Sequence, residues 1–356
     1  EQGVSKGLLA KVKFQGGKIQ VNGTVQNAIY PLQTGDVVKM TIPDEAEHET
    51  LLTDDEPIEI VFEDDHFLVV NKPAGIASIP AQYHPSGTMA NRVKGYYKRQ
   101  NYVNQVIHVV TRLDRDTSGL MLFAKHGFAH ALIDQELREK KVTKIYYALV
   151  GGAIEQLNEH QLIEKPIGRD LSSLLKRQVI ETGQFASTEY WLAKRGAQAA
   201  AVRIQLHTGR THQIRVHFEA IGCSLLGDEM YHGEMDQGIE RQALHCMELI
   251  FTHPFTKETV HLISEFRELF LALHIYEQGQ FYQSLDEKDR QHLYNYLSPK
   301  ELADMFDVIE EDNENMKDYL AEMRPSYAAD MLAEMYTDNA VDLLNMLDKS
   351  QKAKYL

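Results

Sequence analysis

The chain contains few cysteines and no long apolar run. Its two cysteines, Cys223 and Cys246, have no metal-ligand spacing and supply no disulfide framework, which is typical of proteins from a reducing compartment. No apolar run approaches the roughly 18 residues that span a membrane, and the residues after Glu1 do not form a charged and then apolar leader. We therefore expect a cytoplasmic protein without a membrane-spanning segment.

Glycine-rich phosphate loops of the common types are also absent, and the sequence shows no repeating βαβ pattern. These absences argue against a bound nucleotide or nicotinamide, so we expect no cofactor. The sequence instead contains strand-like segments in hairpin-like order, with helices at irregular intervals. This pattern predicts the α+β class with a mixed or antiparallel central sheet.

Positive charge is scarce in this chain of 356 residues, whose formal net charge is -15. That sum alone disfavours a nucleic-acid partner, but the distribution matters more. Residues 264–356 hold 20 of the 52 acidic and 9 of the 37 basic residues, which leaves a net charge of only -4 for residues 1–263. Two basic sets are candidates for a local RNA channel, with a solvated helix face as the alternative for each: Arg138, Lys140, Lys141 and Lys144, and Arg92, Lys94, Lys98 and Arg99.

Composition and turn residues divide the chain into four segments. Residues 1–48 predict a short helix and then strands joined at Gly-Gly, Asn-Gly and Gly-Asp turns. Residues 49–56 are acidic and poor in large apolar groups, and predict a linker. Residues 57–263 contain most of the predicted strands. Residues 264–356 contain one glycine and predict an all-α array of short amphipathic helices.

A charged cluster separates two apolar runs between Val109 and Lys125, in the segment VVTRLDRDTSGLMLFAK. The apolar runs predict buried strands on either side of the cluster. Charged groups are rarely left between buried strands unless they are paired or take part in chemistry. The alternative is an ordinary polar surface turn.

The segment RLDRDTSGLMLFAK resembles the catalytic motif of the RluA/RluD-type pseudouridine synthases. Two later segments, KIYYALVGG and LHTGRTHQIRVHFEAIGCSLLGDEMY, resemble further motifs of that family in the same order. The resemblance extends from about Pro57 to about Leu262. It departs from the family at Thr111, where many members carry His. Residues 1–48 resemble part of a small RNA-binding module that often precedes this type of synthase.

The resemblance implies an enzyme that isomerises specific uridines in RNA, with large-subunit ribosomal RNA as the expected substrate. It implies that Asp114 is the catalytic carboxylate, that Arg215 keeps it ionised through a bidentate pair, and that Tyr146 offers the base a flat ring and a hydroxyl for proton transfer. Asp114 can either attack the ribose or take its proton. The alternatives are a structural ion pair for Asp114, a core position for Tyr146 and a surface strand for Arg215.

The uridine must leave its stack to reach such a site, so we expect base flipping. Residues near the three motifs are the candidates for contact with the RNA: Arg112, Arg115, Thr117, Lys144, Arg210, His212 and Gln213.

Metal ligands are not indicated in the catalytic segment. His207, His212 and His217 recur every five residues, a spacing that fits neither one helix face nor one strand face. Asp114 and Asp116 lack the remaining positions of a calcium loop.

Residues 264–356 resemble the cytosolic N-terminal domain of MgtE-type magnesium transporters, from about Glu265, which implies a junction near residues 261–265. Ser298 is predicted to cap a helix, and Asp338 is predicted to cap a later one. Asp338 and Asp342 lie four apart on a predicted helix and are candidates for a weakly bound Mg²⁺, with solvated acids and a helix cap as the alternative.

These features favour a monomeric RNA-modifying enzyme. Two other hypotheses remain. In the first, the chain is a non-enzymatic RNA-binding or assembly module. In the second, it is a magnesium-responsive interaction protein that acts through its C-terminal helices.

Overall fold

The computed structural model describes most of the chain. It covers residues 4, 6–45, 50–81, 85–173, 175–196, 198–235, 239–264, 270–271, 275–285, 287–294, 297–309 and 313–355. Glu265, where the resemblance to the transporter domain begins, lies outside the described residues.

The N-terminal segment forms a helix and a small separate sheet. Helix α1 (Lys6–Phe14) precedes β1 (Lys18–Val21), β2 (Thr24–Val25) and β3 (Val38–Thr41), in the spatial order β2-β1-β3. Strands β1 and β2 are joined through Asn22 and Gly23, which have φ values of 50° and 82°. Asn-Gly adopts such left-handed conformations readily, which is why this dipeptide predicted the turn.

The central segment forms one ten-stranded mixed sheet in the order β4-β5-β7-β14-β8-β13-β12-β9, with β6 paired to β7 and β15 paired to β14. Its strands are β4 (Glu59–Glu63), β5 (Phe67–Lys72), β6 (His108–Val109), β7 (Ser118–Ala124), β8 (Thr143–Val150), β9 (His160–Glu164), β12 (Ser187–Arg195), β13 (Ala200–Leu206), β14 (Leu244–Thr252) and β15 (Thr259–Ile263). A separate ribbon pairs β10 (Ile167–Arg169) with β11 (Arg177–Val179). Strands β7 and β14 are parallel, and the other strand pairs of this sheet are antiparallel. The predicted α+β class with a mixed sheet is confirmed.

Three helices accompany this sheet: α2 (Met89–Arg99), α3 (Gly127–Arg138) and α4 (Gln213–Glu219). Helices α3 and α4 contribute to the largest apolar cluster, whereas α2 covers another cluster built from β5 and β7. Ala129 and Ile133 are the buried residues of α3, and Leu132 and Leu137 are only half-buried.

The acidic segment before the sheet is docked on α2, although the sequence predicted a linker there. Lys94 donates from Nζ to the carbonyl of Leu51 at 2.7 Å, and the Asn91 side chain donates to the carbonyl of Leu52 at 2.8 Å. Two ion pairs extend this contact: Arg92 with Asp54 at 3.6 Å, and Arg99 with Asp55 at 3.0 Å. Three of the four basic side chains proposed as an RNA channel on α2 therefore hold this acidic segment instead.

The described residues after Ser264 form short helices joined by turns. Beyond the helical residues Phe270 and Leu271, the helices are α5 (Ile275–Ser284), α6 (Glu287–Leu293), α7 (Pro299–Phe306), α8 (Asn313–Glu322), α9 (Pro325–Glu334), α10 (Thr337–Asn345) and α11 (Lys349–Lys352). None of the helices in the described part of the chain is both long and apolar enough to cross a membrane.

The predicted caps of these helices have different outcomes. Ser298 caps α7 in a capping box with Glu301, and Pro299 occupies the first turn, as predicted. Asp338 is not a cap, because α10 begins at Thr337 after Tyr336 and Asp338 lies in its first turn. An acidic side chain is also favourable there, since the helix dipole is positive at that end.

The C-terminal helices share an apolar cluster with the sheet. Leu149 on β8 and Leu226, Ile239 and Ala243 near β14 are buried in the same cluster as Phe270 and the apolar faces of α5 and α7–α10. Tyr146, Ala148 and Val150 of β8 instead belong to the largest cluster of the sheet. The two faces of β8 therefore pack against different parts of the chain.

We expect Leu226→Ala to destabilise the sheet and the C-terminal helices together. Leu226 is 2% exposed, and truncation of a buried leucine costs about 2–5 kcal/mol. Leu162→Ala on β9 is the control, because Leu162 is 47% exposed. Amide hydrogen exchange should accelerate in α7–α9 as well as in β8 for Leu226→Ala alone. Unchanged exchange in α7–α9 would contradict a shared cluster.

Candidate active site

The charged loop that contains Asp114 is fixed at both ends. On its N-terminal side, the amides of Val110 and Thr111 both donate to the carbonyl of Leu122 on β7. On its C-terminal side, Gly119 has a φ of 111°, and a Cβ there would lie 2.3 Å from the carbonyl oxygen of Cys246. Only glycine fits such a position. The loop is therefore held between β6 and β7 with its charged side chains outside the sheet.

A buried lysine is hydrogen-bonded to the same loop. Lys72 is fully buried at the end of β5 and donates to the carbonyls of Pro73, Ile76 and Arg115 at 2.7–2.8 Å. Burial of an ammonium group is costly unless it is hydrogen-bonded in this way. Lys72 thus ties the turn after β5 to the loop of Asp114.

The loop borders a cavity of about 520 Å³. The other walls come from distant parts of the chain, which include residues 77–79, Lys144 and Tyr146 on β8, and the turn that leads into α4. Residues from all three predicted motifs line it, among them Asp114, Tyr146 and Arg215. The fold therefore brings together the three residues that were predicted from the sequence to be catalytic.

One oxygen of Asp114 faces two nitrogen groups. Nη1 of Arg215 lies 3.5 Å from Oδ2 of Asp114, and Nε2 of His212 lies 3.9 Å from the same atom. Asp114 is about one-third exposed, whereas the Arg215 side chain is 7% exposed. The carboxylate is therefore open to the cavity on one side and faces a buried cation on the other.

Arg215 makes its strongest contacts with a residue that the sequence did not single out. Its Nε and Nη2 donate to Oδ2 and Oδ1 of Asp228 at 2.6 and 2.8 Å, and the guanidinium lies over the ring of Tyr231 at 4.7 Å. Although burial opposes the charge, the hydrogen bonds and charge of Asp228 raise the pKa of Arg215. The bidentate pair predicted for Asp114 and Arg215 is thus formed with Asp228, and Asp114 receives one longer contact.

Arg215 lies on α4, whereas the alternative considered from the sequence was a surface strand. His212, the residue before this helix, has a φ of 57°, and its Nδ1 lies 2.8 Å from the hydroxyl of Tyr231. The pKa of His212 is lowered by burial, with the charge of Asp114 opposing that effect.

Comparison with known proteins identifies this arrangement. Residues 66–220 match the family model described as RNA pseudouridylate synthase. The chain is 43% identical over 260 residues to the uncharacterized RNA pseudouridine synthase YjbO of Bacillus subtilis, covering 73% of this chain and 90% of that relative. The chain belongs to the RNA pseudouridine synthases.

Members of this family are isomerases that act on RNA. The synthase is also 35% identical over 270 residues to the ribosomal large subunit pseudouridine synthase D of Pseudomonas aeruginosa, covering 72% of this chain and 83% of that relative.

Residues 273–356 match a second model, described as the MgtE intracellular N domain. A stretch of 68 residues is 98% identical to the magnesium transporter MgtE of Enterococcus faecalis, covering 19% of this chain and 15% of the transporter. The predicted combination of a synthase with an MgtE N domain is confirmed. The part of the transporter that is covered is too small to assign its activity to this chain.

Tyr146 forms part of the cavity wall of the synthase. It is 4% exposed, and it lies opposite the buried Cys246 on the neighbouring strand β14. Burial raises the pKa of Tyr146 well above 10. A hydroxyl with a raised pKa gives up its proton less readily, which favours a role for the ring over a role in proton transfer.

The residues predicted to contact RNA fall into two groups. Arg112, Arg115 and Arg210 are exposed at the cavity and remain candidates for phosphate contact, although Arg115 pairs with Asp116 at 3.1 Å. Lys144 is half-buried in the cavity wall, and burial lowers its pKa.

Two of the predicted contacts support the protein instead. Gln213 is 2% exposed and uses all four hydrogen-bonding positions of its side-chain amide within the chain, with Ser187, Thr188, Thr208 and Arg210 as partners. Thr117 is also 2% exposed and accepts a hydrogen bond from Gln242. Both residues order the loops around the cavity.

The magnesium candidates Asp338 and Asp342 are exposed on α10. Within the described ranges, no group of three or more His, Cys, Asp and Glu side chains is arranged to hold a metal ion. Binding of Mg²⁺ by this part of the chain stays a prediction.

We expect Tyr146→Phe to keep conversion within about threefold of the wild type, because the ring that can stack on the base remains. Tyr146→Ala should slow conversion by about 5–150-fold, the range that corresponds to one lost stacking contact. The measurement is single-turnover conversion of uridine in a ribosomal RNA transcript. An equal loss in both variants would instead assign proton transfer to the hydroxyl.

Proposed function

We propose that this synthase isomerises specific uridines of large-subunit ribosomal RNA and that Asp114 is its catalytic carboxylate. The observation that carries the proposal is one partly exposed carboxylate on a cavity of about 520 Å³, with a buried guanidinium 3.5 Å behind it. The name of the Pseudomonas relative, a ribosomal large subunit pseudouridine synthase, supports the choice of RNA. A ribosomal RNA substrate also favours a cytoplasmic location, as expected from the low cysteine content.

The reaction needs no cofactor, because its atoms and electrons balance within the substrate. The bond between ribose C1′ and uracil N1 breaks, and a bond between C1′ and C5 forms. One proton leaves C5 and one proton is gained at N1, with no change of oxidation state overall. The protein must supply a carboxylate, hold the detached uracil and keep bulk water from the sugar.

Asp114 is suited to act on the sugar. Its Oδ2 faces Arg215 and His212, whereas no described residue gives Oδ1 a hydrogen bond. Oδ1 is therefore available to the substrate. Attack on C1′ and removal of a ribose proton are both compatible with this geometry, and the nearby guanidinium stabilises the carboxylate as an anion in either route.

A cavity of about 520 Å³ is of a size that suits one flipped nucleotide. Flipping costs a few kcal/mol of unstacking, which contacts to the flanking phosphates can offset. Arg112, Arg115 and Arg210 are exposed around the cavity and supply such contacts. The ring of Tyr146 would then support the uracil while its glycosidic bond is open.

The test compares the wild type with Asp114→Asn by mass-spectrometric mapping of pseudouridine in an unmodified large-subunit ribosomal RNA transcript. We expect conversion at defined positions by the wild type and a loss of at least about 10³-fold in Asp114→Asn, because the amide is neither a base nor a comparable nucleophile. Asp116→Asn is the matched control, since Asp116 belongs to the same loop and pairs with exposed Arg115. It should stay within about threefold of the wild type.

Three outcomes contradict parts of the proposal. Conversion by Asp114→Asn at the wild-type rate would exclude Asp114 as the catalytic group. A wild-type chain that binds the transcript without converting it would favour the RNA-binding hypothesis. Conversion of transfer RNA but not of the ribosomal transcript would show that the proposed RNA class is wrong.

A further inference from the structure

A short turn behind the cavity supports both nitrogen groups that face Asp114. It comprises residues 227–233 and includes the 3-10 turn Glu229–Tyr231. Asp228 contacts Arg215, and Tyr231 contacts both Arg215 and His212. Neither Asp228 nor Tyr231 lines the cavity.

Within this turn, Asp228 holds Arg215. Asp228 is 2% exposed and binds two guanidinium nitrogens at 2.6 and 2.8 Å, so the plane of the guanidinium is fixed. The remaining nitrogen, Nη1, is the one that lies 3.5 Å from Asp114. Because a buried charge needs a close partner of opposite sign, Asp228 compensates the burial of the Arg215 charge and fixes its orientation. Asp114 is therefore oriented by the guanidinium without being locked in a bidentate pair.

Tyr231 determines which ring nitrogen of His212 carries the proton. The hydroxyl of Tyr231 accepts a hydrogen bond from the backbone amide of Arg177 at 2.9 Å. Its own proton is then free to be donated to Nδ1 of His212, 2.8 Å away. A neutral imidazole that accepts at Nδ1 carries its proton on Nε2. The N–H of His212 consequently faces Oδ2 of Asp114, and at 3.9 Å it remains available to a substrate oxygen.

The turn packs tightly against neighbouring backbone. A Cβ at Gly227 would lie 2.2 Å from the carbonyl oxygen of Arg241, and one at Gly233 would lie 1.9 Å from that of Leu225. The amide of Gly233 also donates to the carbonyl of Asp228 at 2.8 Å. Rigid support of this kind is what a preorganised site requires, since misplacement by about 1 Å is costly to catalysis.

We propose that Asp228 and Tyr231 are positioning residues, which aim Nη1 of Arg215 and the Nε2 proton of His212 at the same oxygen of Asp114. The other carboxylate oxygen is thereby kept for the ribose. This inference rests on the proposed role of Asp114. It adds two residues that act through others and do not touch the substrate.

Four charged groups act on His212: Asp114 and Asp228 raise its pKa, and Arg215 and Arg177 lower it, in addition to the lowering by burial. A hydroxyl that donates to Nδ1 also opposes protonation of that nitrogen. Removal of the Tyr231 hydroxyl should therefore raise the pKa of His212 and charge the imidazole at a higher pH.

The experiment uses the full chain and measures RNA affinity, kcat and the pH dependence of kcat. Asp228→Asn should lower kcat at least about 10-fold, with the Kd for the transcript within twofold of the wild type. Tyr231→Phe keeps the ring under Arg215, and should lower kcat about 3–10-fold and move the acidic limb of the pH profile upward by about 0.5–1 unit. Glu229→Gln is the control, because Glu229 is exposed in the same turn.

The inference is wrong if both variants match Glu229→Gln in kcat and in pH profile. It is also wrong if they weaken RNA binding and leave kcat unchanged, since that result assigns them to the substrate surface. If Asp228→Asn is unfolded at the assay temperature, the pH profile of Tyr231→Phe decides alone. The Asp114→Asn variant distinguishes failure of the proposed function from failure of this inference. If Asp114→Asn is active, the proposed function is refuted. If it is inactive while the variants of Asp228 and Tyr231 are fully active, only this inference is refuted.

Discussion

The buried guanidinium of Arg215 is the contact on which the site depends. It joins helix α4, the turn at Asp228 and the loop of Asp114, three parts of the chain that share no strand pairing with one another. A buried cation is tolerated only with partners that compensate its lost hydration, and Asp228 is that partner here. The sheet holds the loop of Asp114 in reach, and Lys72 and Gly119 fix the loop itself.

Much of this arrangement was predictable from the sequence because its signals are local. Alternating apolar residues predicted the strands, Asn22-Gly23 predicted a hairpin, and Ser298 with Glu301 predicted a helix start. The three catalytic candidates were predictable only through the resemblance to a family. These three residues line one cavity because of the order of the strands, which no single segment of the sequence determines.

The errors share a physical cause, since each concerned a choice between partners distant in sequence. The pairing of Arg215 with Asp114 came from the resemblance alone, and no local signal in the motif shows that Asp228 is the stronger partner. The acidic segment before the sheet was read as a linker because nothing local shows that the basic side chains of α2 bind it. Burial of a charged side chain shows which of its possible partners matters. In the sequence, such burial is indicated by a charged residue inside an apolar run, as in LLGDEMY.

The central claim is that a guanidinium clamped by Asp228, and not simply a positive charge, supports Asp114. Arg215→Lys tests it most directly, because lysine keeps the charge but cannot bind Asp228 with two nitrogens while a third faces Asp114. The measurement is the single-turnover rate of uridine conversion, with RNA affinity measured in parallel. We predict a loss of at least about 100-fold in rate with affinity retained. A lysine variant that converts uridine at the wild-type rate would contradict the account.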